Sequence, residues 1–248
     1  MRSAPRSRHQ RAADPIYRQV HRACFALCLL VAPLTVGVWF ATCPEYGNPA
    51  CPVGTSATLT AFRAANPVLL HLFLVVAILS AYVYPLSYIG LGRLAMPRAP
   101  WLCTLGIASG FVGSVVWSLL MGESFWLTAA AQHHVDGAFL LVGKTYVTNW
   151  AVLFMHGGWV IGHLLGYGLL GIALLRTRVI PPWAAWLLIV SPVVMGPLAY
   201  GTGLGLLQVL GYLLVFVGSI PAALVTLQPS DRQPCARGAT AEGLTSTN

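Results

Sequence analysis

The sequence predicts an all-α, polytopic transmembrane bundle of six spans with both termini cytoplasmic. Three observations carry this expectation. Of 248 residues, 57% are hydrophobic and 8% charged, a balance far from that of a soluble domain. Charge-free stretches of about 20 residues, long enough to cross a bilayer, recur along the chain. The basic residues also sort to one side of the spans those stretches define.

Residues 1–22 form a basic tail without apolar periodicity. The first span, 23–41, follows an Arg-rich start, as the core of a signal peptide would, but it is long enough to span and five more stretches follow it, so it is read as an anchor. The outer loop after it contains Cys43 and Cys51 around "CPEYGNPAC", where turn residues and an oxidising compartment favour a disulfide. Cys24, Cys28 and Cys103 fall near inner helix ends, where thiols are small core residues.

The second span covers 67–90 and the third 101–122, joined by "LGRLAMPRAPW". The outer segment after Glu123 holds an alanine-rich stretch too interrupted to span, which predicts an interfacial helix over 127–142. The fourth span is 150–174, the fifth 183–200 and the sixth 204–227, with a Gly-rich turn between the last two. Pro85, Pro192, Pro197 and Pro221 are places where these helices could break. Residues 228–248 form a second polar tail, expected in the cytoplasm.

The formal charge of +8 would suggest a nucleic-acid partner if it were clustered on a soluble face, so its location decides its meaning. Arg2, Arg6, Arg8, Arg11, Arg18, Arg22, Arg93, Arg98, Arg176, Arg178, Arg232 and Arg237 fall on one side of the six spans; only Arg63 and Lys144 fall on the other. By the positive-inside rule the crowded side is the cytoplasm, and the partner is the lipid bilayer, with no nucleic acid.

The two inner turns each place arginines, then proline at a helix start, then tryptophan at the interface. The second of them, Arg176-Thr-Arg178-Val-Ile180-Pro181-Pro-Trp183, resembles the Arg-x-Lys/Arg-x-Ile-Pro-x-Trp turn of an uncharacterised family of bacterial six-span integral membrane proteins. The similarity extends over residues 67–227. It implies the topology and a bacterial plasma membrane, and it carries no chemistry.

Polar residues inside a span are costly and are functional candidates by default. On the fourth span, His156 and His163 lie seven residues apart and about 20° from one another round the helix, with Trp159 and Tyr167 on the same stripe. Gly158, Gly162 and Gly166 line the adjoining face, where small residues admit another helix and could serve a homodimer. Each histidine could simply be a neutral core residue bonded to Ser80, Tyr82, Ser109, Ser114, Ser118 or Tyr212.

Depth favours a site in the outer half. His71 and His156 lie about 6–9 Å below the outer surface, and Glu123 ends the third span on that side. The ligand-binding set expected is therefore His71, Glu123, His156, Trp159, His163 and Tyr167, for a lipophilic small molecule or lipid and without demonstrable catalysis. No cofactor is required by it. The alternative is a metal- or haem-dependent enzyme with His71 and His156 as ligands; His156 and His163, about 10 Å apart along one helix, cannot share an ion. A small permease for a neutral solute is the second alternative, since no charged residue lies in the apolar body of any span. Ser109 and His163 superficially resemble the serine and histidine helices of rhomboid proteases. The pattern departs at Ile107, where glycine is needed, and there is no His-x-x-x-Asn helix.

Overall fold

The computed structural model describes residues 15–44, 56–135 and 149–228, and among these every regular element is helical. The helices are α1 (Pro15–Thr42), α2 (Ser56–Ala64), α3 (Pro67–Ala95), α4 (Pro100–Gln132), α5 (Trp150–Thr177), α6 (Pro182–Thr202) and α7 (Gly205–Leu227). All but α2 are long and apolar enough to cross a membrane. The six long helices form a closed ring in chain order: α1 packs on α3, α3 on α4, α4 on α5, α5 on α6, α6 on α7, and α7 back on α1. Across the ring, α3 also touches α5.

Helix starts follow local chemistry. Asn66 and Asn149 cap α3 and α5, their side chains accepting from Val68 N at 2.8 Å and Ala151 N at 2.9 Å. Pro67, Pro100 and Pro182 occupy first-turn positions, where the missing N–H costs nothing. Arg178, in the left-handed region at φ 51°, ends α5. Gly203, at φ 69°, makes the turn between α6 and α7 without strain.

The proline positions behave differently from one another. Both α3 and α7 run unbroken through Pro85 and Pro221. In α6, flanked by Pro192 and containing Pro197, residues Val194–Leu198 widen into a π-helix.

The expected end of the third span moves. Helix α4 continues past Glu123 to Gln132, so Leu127–Gln132 extends the long helix and does not begin a separate interfacial one. Ser124, Leu127, Thr128, Ala130 and Ala131 are buried on its inner face. The rest of that expected helix, and Cys51 of the expected disulfide, lie outside the described residues; Cys43 is buried. The first connecting loop contains a helix the sequence reading did not anticipate, α2, tied to α4 by Arg63 Nε donating to Ala131 O at 3.0 Å.

The other end of the bundle carries the remaining described arginines. Arg93 lies 5.1 Å from the Phe25 ring centroid and reaches His21 Nε2 at 3.4 Å. Arg98 donates to Thr177 O at 3.0 Å, tying the α3–α4 turn to the end of α5.

Candidate functional site

Two layers occupy the bundle interior between these ends. The upper one, at the Arg63 end, is a cavity of about 220 Å³. Its walls come from the last turn of α1 (Trp39) and Cys43 just after it, from α2 (Phe62), α3 (Phe73), the second half of α4, the first turns of α5 and Tyr200 of α6. The aromatic walls are themselves packed ring on ring. Trp39 stacks on Phe73 at 5.3 Å and meets Trp117 edge-on at 4.9 Å, and Trp117 stacks on Trp159 at 5.1 Å. Trp117 Nε1 donates to Ser80 Oγ at 2.9 Å, which pins that ring to α3. Among these rings the cavity presents Glu123 and His156.

The lower layer is centred on His163, 2% exposed and about 20 Å along α5 from its start. The Tyr88 hydroxyl lies 2.6 Å from Nδ1 and the Tyr212 hydroxyl 3.0 Å from Nε2. The Tyr84 hydroxyl sits against both nitrogens, 2.8 Å from Nδ1. The Tyr84 ring stacks on the imidazole at 4.9 Å, with Tyr167 edge-on at 5.2 Å. A neutral imidazole offers one donor and one acceptor, and a phenol can be either, so both tautomers find partners here. His163 thus binds α3, α5 and α7 together through hydroxyls, with no carboxylate among its partners.

Glycines make this approach possible. A Cβ on Gly162 would come 2.7 Å from Ser109 O, and one on Gly113 would come 2.9 Å from His163 N. A Cβ on Gly166 would meet Tyr88 Cε1 at 2.8 Å. The face expected for a homodimer is therefore where α4 and Tyr88 of the same chain already sit. Gly158, with Val116 Cγ2 3.8 Å from a built Cβ, is only loosely covered.

Of the six expected ligand-binding residues, Glu123, His156 and Trp159 line the cavity, while His163 and Tyr167 belong to the layer beneath it. His71 joins neither: its side chain is exposed and its Nδ1 lies 2.6 Å from Pro67 O in its own first turn. Among the described residues there is no cluster of three or more His, Cys, Asp or Glu suited to a metal ion, at His71 and His156 or elsewhere. Ser109 is not bonded to His163; its carbonyl packs against Gly162 instead.

The sequence reading missed the cavity walls Trp39, Phe62, Phe73, Trp117 and Tyr200, and the histidine partners Tyr84 and Tyr88. Tyr84 and Tyr88, one turn apart on α3, carried the usable signal: a pair at i, i+4 puts two hydroxyls on one face. A small crevice beside the cavity is lined by Trp159, His163, Tyr200, Gln208 and Tyr212, so the two layers meet at Trp159 and Tyr200. No family model, no curated protein and no solved structure matches this chain.

Proposed function

We propose that the chain is a multi-pass protein of the bacterial plasma membrane, both termini cytoplasmic, that binds a small lipophilic molecule in the cavity at the Arg63 end, facing the outer leaflet. The observation that carries this reading is the cavity itself, walled by six aromatic side chains around Glu123 and His156. Membrane insertion is supported by the apolar side chains the bundle turns outward, among them Val75 at 59%, Phe154 at 75% and Leu206 at 76% exposure. A soluble monomer does not leave that much contiguous apolar surface to water. The resemblance of the Arg176–Trp183 turn to bacterial six-span proteins agrees with the same topology.

Size limits the ligand. An apolar cavity of about 150 Å³ accepts benzene, so 220 Å³ suits a substituted ring or a compact branched group. A porphyrin or an entire lipid is too large for it, though a lipid could insert one end. Ligand sites of this kind are mostly apolar with a few placed polar groups, as here.

The test is a titration of the full chain, purified in a maltoside detergent, with isobutylbenzene, read by the fluorescence of the wall tryptophans. Saturable quenching is expected, abolished in Leu120→Trp, which fills the cavity from a lining position, and weakened in His156→Ala. His71→Ala should leave it unchanged. Non-saturable quenching of equal slope in the natural chain and in a folded Leu120→Trp variant would overturn the reading.

A further inference from the structure

We infer that the arginine end of the bundle holds an anionic phospholipid: its phosphate is clamped by Arg98, Arg176 and Arg178, and one acyl chain lies along the outward face of α5. This site is separate from the cavity and depends only on the six long helices crossing a membrane.

Two turns meet where the headgroup would sit. Arg98, in the α3–α4 turn, donates to Thr177 O at 3.0 Å, which brings its guanidinium beside the residue that separates Arg176 from Arg178. Both of these arginines are exposed. Arg178 stands in the left-handed region at φ 51°, where glycine is the usual occupant, so the turn itself does not call for an arginine. Three positive charges are thereby gathered at one helix end. The carbonyls that end α5 carry about half an elementary negative charge, which offsets only a fraction of them.

The chain cannot supply the missing anion. Among the described residues the sole carboxylate is Glu123, at the opposite end of the bundle. The tails before α1 and after α7 hold Asp14, Asp231 and Glu242 against six further arginines of their own, so this end stays positive even with every such carboxylate paired. Guanidinium forks match phosphate oxygens two at a time, and basic sites between transmembrane helices on the cytoplasmic side suit anionic headgroups.

The surface that leads to these arginines suits an acyl chain. Ile161, Leu165 and Ile172 are exposed on α5. With Gly168 they recur every three or four residues, so they share one face, and its next member is Arg176. A Cβ on Gly168 would meet nothing within 4 Å, which leaves the stripe notched there. A chain lying in that notch ends at the arginines. Trp101 and Trp183, 80% and 54% exposed, open the neighbouring helices α4 and α6, and interfacial tryptophans sit at the depth of the headgroups.

A phosphate ester could also be a small soluble one, and the experiment separates the two sources. The full chain in maltoside is titrated with phosphatidylglycerol and with phosphatidylcholine of the same chains, and bound lipid is counted by native mass spectrometry. Phosphatidylglycerol is expected to bind about tenfold more tightly or better. Arg176→Gln combined with Arg178→Gln should weaken it about tenfold and leave phosphatidylcholine unchanged. Arg18→Gln combined with Arg22→Gln removes the same charge beside α1 and should leave both lipids unchanged. Gly168→Trp fills the notch without touching charge and should weaken phosphatidylglycerol about threefold or more. All three variants should keep the thermal midpoint of the natural chain, measured alongside. Excess glycerol phosphate should displace no lipid. Equal affinity for the two lipids, an equal loss in both arginine pairs, an unaffected Gly168→Trp or displacement by glycerol phosphate would each overturn the lipid site. A failure of isobutylbenzene to bind would overturn the cavity reading and leave this site standing.

Discussion

His163 is held by hydroxyls from two other helices, so truncating it strands more polar groups than it removes. In His163→Leu the hydroxyls of Tyr84, Tyr88 and Tyr212 each lose the imidazole as a partner. An unsatisfied buried group costs about 1–3 kcal/mol, whereas interhelical bonds in membranes average about 0.6 kcal/mol, because the unfolded chain in lipid finds partners too. A net loss of about 2 kcal/mol is expected for His163→Leu, and of about 0.6 kcal/mol for Tyr88→Phe or Tyr212→Phe. Reversible unfolding in mixed sodium dodecyl sulfate micelles measures these values; an unchanged midpoint in His163→Leu would mean the hub contributes nothing. The stripe His156, Trp159, His163, Tyr167 was legible from helical spacing alone. What spacing could not supply was which helix faces that stripe. Tyr212 was among the partners considered, but Tyr84 and Tyr88 depend on α3 crossing the ring to reach α5, a fact of packing and not of pattern. The same gap applies to His71: the depth expected for it matched that of His156, yet its side chain leaves the helix on the exposed side.

At the scale of elements, the α4–α5 contact is closely fitted, because backbone meets backbone there. A methyl on Gly162 collides with a carbonyl at 2.7 Å and one on Gly113 with a backbone nitrogen at 2.9 Å, neither of which can rotate away. Gly113→Ala and Gly162→Ala are each expected to cost about 1–3 kcal/mol, as overpacking does. Gly157, on the same helix, has nothing within 4 Å of a built Cβ. Gly157→Ala should therefore be neutral or stabilising by up to about 1 kcal/mol, since alanine is the better helix former. Thermal unfolding of the three variants in one detergent checks the contrast, and a similar shift for all three would refute it. Glycine spacing announced a close helix contact in the sequence, but not that α4 rather than a second chain fills it. The end of α4 was misread for a different reason. Glu123 looked like a boundary because charge usually marks water, whereas here the carboxylate faces a cavity and the helix carries on through Leu127, Ala130 and Ala131. The wall residue Phe62 escaped notice because α2 lies beside a stretch whose proline and glycine content reads as loop.

For the whole molecule, the distribution of charge decides how the bundle sits. Six long helices joined end to end bring the start of α1 and the end of α7 to the same end of the bundle. Arg18 and Arg22 in the first turns of α1, Arg93 and Arg98 after α3, and Arg176 and Arg178 after α5 lie at that end, while Arg63 is at the cavity end beside Ala131. Lysine and arginine are retained on the cytoplasmic side during insertion, so the cavity should open towards the outside. Fusion reporters test this directly: alkaline phosphatase placed after Val135 should be active and after Gln228 inactive, with a cytoplasmic fluorescent protein giving the reverse. The opposite pattern would put the aromatic cavity in the inner leaflet and remove the outer-leaflet part of the proposal.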